Sequence, residues 1–100
     1  MTNTLAQLTR ASFEPLLHQR FALRAGDHAL EVELVEVKSL GAAPRPNMRE
    51  PFSLLFDGPL EPAFRQGTYA LEHAAIGVHH FFLVPIGRDT DHTCYQAIFT

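Results

Sequence analysis

Pro51-Phe52-Ser53-Leu54-Leu55-Phe56-Asp57-Gly58-Pro59 is the stretch around which the chain is organised. Successive side chains of a strand point to opposite faces, so Phe52, Leu54 and Phe56 share one face while Ser53, Leu55 and Asp57 share the other. Proline donates no ladder hydrogen bond, so Pro51 and Pro59 bracket the run. The chain before it reads as a hairpin feeding in, and the chain after it as two more hairpins folding back.

The first hairpin has a definite register. Gly26-Asp27 suits a two-residue turn between residues 20–25 and 28–34. That turn sets Ala25 against His28, Leu23 against Leu30 and Phe21 against Val32, which puts the apolar pairs on one face. Arg20 then faces Glu33, and Arg24 lies diagonal to Glu31, so opposite charges meet on the other face. A slip of one residue loses both matches. Beyond Leu34 the apolar positions change phase, from Leu30, Val32 and Leu34 to Val35 and Val37. Such a change predicts a β-bulge, which bends a strand and helps a sheet close.

Residues 9–18 carry the one helical pattern. Thr9 or Ser12 can cap it, Pro15 is tolerated in a first turn, and Leu8, Phe13, Leu16 and Leu17 form an apolar patch suited to plugging the end of a sheet or barrel. Residues 41–50, with Pro44 and Pro46, form a loop of about ten residues against a typical four to six. Arg45, Met48, Arg49 and Glu50 make it either a binding loop or a plain crossover. Leu60 and Phe64 are expected to tuck under the next loop. Residues 67–73 alternate with Tyr69 and Leu71 inward. Residues 78–85 are apolar on both faces, and residues 94–99 set Tyr95, Ala97 and Phe99 against Ile98. The expected architecture is mainly β: a six-stranded, mostly antiparallel small barrel or rolled sheet with a short N-terminal helix. Residues 1–100 form one domain, with the helix over 8–18 and the sheet over 20–99.

Composition narrows the function classes. Forty-six per cent of residues are hydrophobic, and the formal net charge of −3 with eight Lys and Arg leaves no electrostatic footprint for nucleic acid. No run approaches the roughly 20 apolar residues needed to span a bilayer, so no membrane partner is expected. Residues 1–9 lack the features of a signal peptide. The single cysteine, Cys94, excludes an internal disulfide and points to a reducing, cytoplasmic setting.

Side chains capable of chemistry are few. Of six histidines, four fall between His73 and His92. If the turn at 74–77 pairs His73 with Val78, then Leu71 faces His80 and Tyr69 faces Phe82, and His73 and His80 lie diagonally about 7 Å apart on one face. These two are the candidate metal ligands, with Tyr69 beside them. Hydrogen-bonded strand histidines are the competing reading, and no cofactor is expected. Asp89-Thr90-Asp91 opens like a calcium loop but lacks its glycine and its bidentate glutamate. Cys94 reads as an inert core residue, and Ser53 has no nucleophile-elbow glycines. No catalytic residue is identified, and the chain is not expected to be an enzyme.

The apolar strand at 78–85 suggests a partner surface instead. With Val78, Phe82 and Val84 toward the core, Phe81 and Leu83 face outward. Either the helix residues Phe13, Leu16 and Leu17 cover them, or they form an exposed patch that binds a protein partner or a second copy.

Arg49-Glu50-Pro51-Phe52-Ser53-Leu54-Leu55-Phe56, Gln66-Gly67-Thr68-Tyr69 with Leu71-Glu72-His73, and Phe82-Leu83-Val84-Pro85-Ile86-Gly87 followed by Tyr95-Gln96-Ala97-Ile98-Phe99 occur in that order. Phe13-Glu14-Pro15-Leu16 precedes them. Together they resemble a family of small bacterial proteins known only as a domain of unknown function, over nearly the whole chain. The resemblance implies a compact β-rich domain and supplies no catalytic residues. Some members are associated with genes for phage-tail-like or tail-collar proteins, which implies a structural or assembly role. The rival expectation is a small-ligand or metal-binding barrel using His73, His80 and Tyr69.

Overall fold

A computed structural model describes residues 8–46 and 48–100. The signal-peptide expectation rests on residues 1–9, of which 1–7 lie outside the described residues. Six strands form: β1 (Arg20–Ala25), β2 (His28–Ser39), β3 (Phe52–Pro59), β4 (Gly67–His73), β5 (Gly77–Arg88) and β6 (His92–Phe99). They close into an antiparallel barrel in the order β1-β2-β3-β6-β5-β4, with β4 returning to β1.

The β1–β2 hairpin has the expected register, Ala25 to His28, Leu23 to Leu30 and Phe21 to Val32. Gly26 takes φ +60°, a turn conformation that costs glycine nothing. Arg20 stands opposite Glu33 but pairs with the diagonal Glu31 at 2.6 Å, and Arg24 reaches across to Glu72 of β4 at 3.0 Å. The register of β2 against β3 shifts between Leu34 and Glu36, which is the bulge the phase change predicts. Before the shift Leu34 faces Phe56, and after it Val37 faces Leu54, so one long strand keeps its apolar side inward around a bend.

Phe52, Leu54 and Phe56 are buried in the barrel with Phe21, Leu23, Val32, Leu71, Tyr95 and Ala97. The rings of Phe52 and Phe99 stack at 4.6 Å, and Phe21 meets Phe56 edge-on at 5.4 Å. At Gly58 the backbone passes close to this core. A Cβ there would sit 3.1 Å from both the Tyr95 ring and the Val32 side chain, which accounts for a glycine inside a strand.

The helical segment is shorter than expected. An α-helix, α1, spans Arg10–Phe13, followed by a 3₁₀ turn over Glu14–Leu16. Pro15 has no N–H for an α-type bond back to the preceding turn, so the α-helix cannot extend through it. Thr9 starts α1, its N–H donating to Ser12 Oγ at 3.0 Å. Leu8, Phe13 and Leu16 are buried as a plug, with the Phe13 ring within 6 Å of the Phe52, Phe81 and Phe99 rings. Leu17 remains exposed. No helix among the described residues is long and apolar enough to cross a membrane.

Candidate functional site

β5 carries both the expected partner patch and one of the candidate metal ligands. The β4–β5 turn is one residue tighter than the 74–77 reading assumes: His73 pairs with Gly77, Leu71 with His79, and Tyr69 with Phe81. A shift of one residue exchanges the two faces of a strand. Phe81 and Leu83 therefore enter the core, 2% and 1% exposed, and Phe13 of the plug packs edge-on against Phe81. Their expected role as an exposed partner patch is corrected: the helix covers one of the pair and both belong to the core. The outward residues are Val78, Phe82 and Val84, with Phe82 56% exposed.

The shift also separates the candidate metal ligands. His80 now stands opposite Ala70 on the outer face, whereas His73 shares the inner parity of Leu71 and Tyr69. The expected pairing of His73 with His80 is not formed. No group of three or more His, Cys, Asp or Glu among the described residues converges as a metal cage would.

The inner histidines are committed to the β4–β5 turn. His73 Nδ1 accepts from the Ala75 N–H at 2.9 Å, so Nε2 carries the proton it donates to Gln19 Oε1 at 2.7 Å. Its ring lies 4.8 Å from that of Phe21. His79 is buried and donates from Nε2 to the Ile76 carbonyl at 2.6 Å. The Tyr69 hydroxyl donates to the Arg65 carbonyl at 2.6 Å. Tyr95 Oη accepts the Phe64 N–H at 2.9 Å, which draws the half-buried Phe64 onto the core as expected.

Two other candidates resolve in the same way. The Asp89 carboxylate accepts the N–H groups of Asp91 and His92 at 2.8 and 2.6 Å. These bonds lower its pKa, and they tie the carboxylate into its own turn rather than offering it to an ion. Arg49, in the long loop, donates to the Leu8 carbonyl at 2.8 Å and lies over the Phe52 and Phe99 rings at 5.8 and 5.3 Å. Glu50 accepts from Ser39 Oγ at 2.6 Å. The loop is thus a crossover clasped to the barrel.

Cys94 is not a core residue. It alternates with the buried Tyr95, faces outward beside Asp57 on β3, and is half-buried. Burial, then the neighbouring Asp57 carboxylate, pushes its thiol pKa up. Alkylation near pH 8 is expected to be slower than for free cysteine, and Asp57→Asn is expected to accelerate it. Mass-spectrometric timing of iodoacetamide addition checks both, and an unchanged rate in the variant would contradict the assigned role of Asp57.

Two neighbouring exposed apolar side chains, Phe82 and Ile98, stand on the outer face of β5 and β6. The ladder between them runs from Val84 opposite Gln96 to Arg88 opposite Thr93. Carried two residues further, that register brings Phe82 alongside Ile98, which is 57% exposed. Both border a shallow groove of 310 Å³ with Thr68, His80 and Thr100. Alternation did not mark Phe82, because residues 78–85 are apolar at odd and even positions alike, whereas on β6 it set Ile98 on the face opposite the inward Tyr95, Ala97 and Phe99.

No curated protein and no solved structure matches the chain. The family described as Domain of unknown function (DUF6916) matches residues 8–99. That span takes in the plug, the clasped loop and all six strands, and the chain belongs to this family.

Proposed function

We propose that this domain is a non-enzymatic protein-interaction module that presents the outer face of β5 and β6 to a protein partner. The observation that carries the reading is the contrast between the two sides of that sheet. The inner side is filled by Phe81, Leu83, Tyr95, Ala97 and Phe99, whereas Phe82 and Ile98 stand more than half exposed on the outer side. Neighbouring exposed apolar side chains on a polar surface mark interfaces. The ring nitrogens of His73 and His79 and the hydroxyls of Tyr69 and Tyr95 serve internal hydrogen bonds, which supports a structural rather than a catalytic role. The resemblance to a bacterial family, some members of which are associated with phage-tail-like genes, favours an assembly component, and the lone cysteine favours a reducing, cytoplasmic compartment.

Replacing Phe82 and Ile98 with serine tests this directly. Both are surface positions, so the variant is expected to keep its circular dichroism and to lose about 1 kcal/mol of stability or less. Pull-down from native lysate is expected to recover a partner with the wild-type protein and not with the variant. Equal recovery by both would overturn the assignment of this face.

A further inference from the structure

We propose that the partner reaches this face as an extended peptide strand added to an open edge of β5; the proposal rests on the interaction reading above and names its mode. β5 divides its pairing between two neighbours. Residues 77–83 pair with β4, and the ladder with β6 covers only residues 84–88, ending at Val84 opposite Gln96. Residues 97–99 of β6 pair with β3 and likewise have no ladder partner in β5. Along an antiparallel strand, hydrogen-bonded and non-hydrogen-bonded positions alternate on each side. Alternate amides of residues 77–83 therefore face away from β4, and no ladder receives them. The groove of 310 Å³ lies in this split, with His80 and Phe82 on one bank and Ala97 and Ile98 on the other.

This edge lacks the usual guards. Open edges are normally blunted by charged side chains or by proline. The split between β2 and β3 follows that rule: its ladder stops at Glu33 opposite Asp57, and just beyond stand Glu31 on one strand and Pro59 on the other. Residues 77–83 include no Lys, Arg, Asp, Glu or Pro. An unguarded edge beside exposed apolar side chains is what strand addition needs, because main-chain bonds supply the affinity and alternate side chains the specificity. An added strand sets the side chains of its outer face beside Val78, His80 and Phe82, all of them exposed. Valine- or isoleucine-type residues suit the positions next to Phe82 and Ile98. Arg49 lines the groove, and among the described residues no Asp or Glu does, so the polar positions of a fitting strand are neutral or acidic rather than basic.

Hydrogen exchange followed by nuclear magnetic resonance on the full chain tests the edge first. Along residues 78–82, slow and fast amides are expected to alternate, the slow ones facing β4. Selection from a displayed library of random eight-residue peptides then supplies the probe. Enriched peptides are expected to alternate apolar residues and to slow the fast amides when bound. Val78→Lys/Phe82→Lys, at two exposed positions, sets charges along the edge, and roughly tenfold weaker peptide binding is expected. Two versions of the best peptide, N-methylated at alternate amides, decide the mode. One register is expected to lose roughly tenfold in affinity and the other to stay within about threefold. Uniformly slow exchange over residues 78–82 would overturn the proposal, because the edge is then already covered: within the chain if it sediments as a monomer, by a second copy if as a dimer. An empty selection, or equal binding by the two methylated peptides, would overturn it as well. If the lysate partner is still lost on Phe82→Ser/Ile98→Ser in those cases, strand addition alone fails. If that partner binds the serine variant unchanged, the interaction reading fails with it.

Discussion

Replacing both Phe81 and Leu83 with serine is expected to unfold the domain. Each side chain is fully buried, and truncating a core leucine costs roughly 2–5 kcal/mol and a core phenylalanine roughly 3–5. Serine adds a hydroxyl with no assigned partner, at a further cost of about 1–3 kcal/mol. The two sites are neighbours along one strand face, so the losses are not strictly additive. Even so, their combination approaches or exceeds the 5–15 kcal/mol that holds a typical domain folded. Loss of the cooperative urea transition and of the near-ultraviolet signal checks the outcome. A folded double variant of near-normal stability would mean that β5 lies one residue out of the described register.

Phe13→Ala is expected to produce the next largest loss, about 3–5 kcal/mol. A single α-turn followed by a 3₁₀ turn has no stability of its own in water, because helix nucleation is unfavourable. The segment is held by tertiary contact, and Phe13 supplies rings at 5.7–5.9 Å to Phe52, Phe81 and Phe99. None of the six ladders passes through it, so the strands are expected to persist with a lowered denaturant midpoint. Leu17→Ala, at an exposed position of the same segment, is the control and is expected to change stability by less than about 0.5 kcal/mol. Similar losses at both positions would mean that the plug is held by its chain path rather than by the aromatic cluster.

The parts of this fold legible in the sequence are those where two independent signals agree. Gly26-Asp27 marks a turn, and the flanking apolar pairs and opposite charges accept only one register. The bulge shows because Leu34 and Val37 are both apolar but of opposite parity. The β4–β5 turn offers no second signal. Residues 78–85 place one histidine among apolar residues on either face, and the polar His79, which argues against burying its face, is buried with its N–H donated to the Ile76 carbonyl. Turn length alone then sets the face, and a difference of one residue moved both candidate sites. For Cys94 the information was present, since an inward Tyr95 requires its neighbour to face outward.

The strand order carries a consequence for how the barrel is made. β6 follows all the other strands in sequence yet sits between β3 and β5. A nascent chain that has presented β1 to β5 can form a sheet in the order β3-β2-β1-β4-β5, leaving two open rims. Each rim is a row of unpaired amides that invites another strand. β6 closes both at once, along Phe52–Pro59 on one side and Val84–Arg88 on the other. It is the keystone of the ring, and until it is seated the domain is a sticky ribbon. The interval between synthesis of β5 and of β6 is when mispairing with a neighbouring chain is most accessible. Variants that weaken β6, rather than those that weaken the early hairpin, are the ones that would accumulate as aggregates during expression.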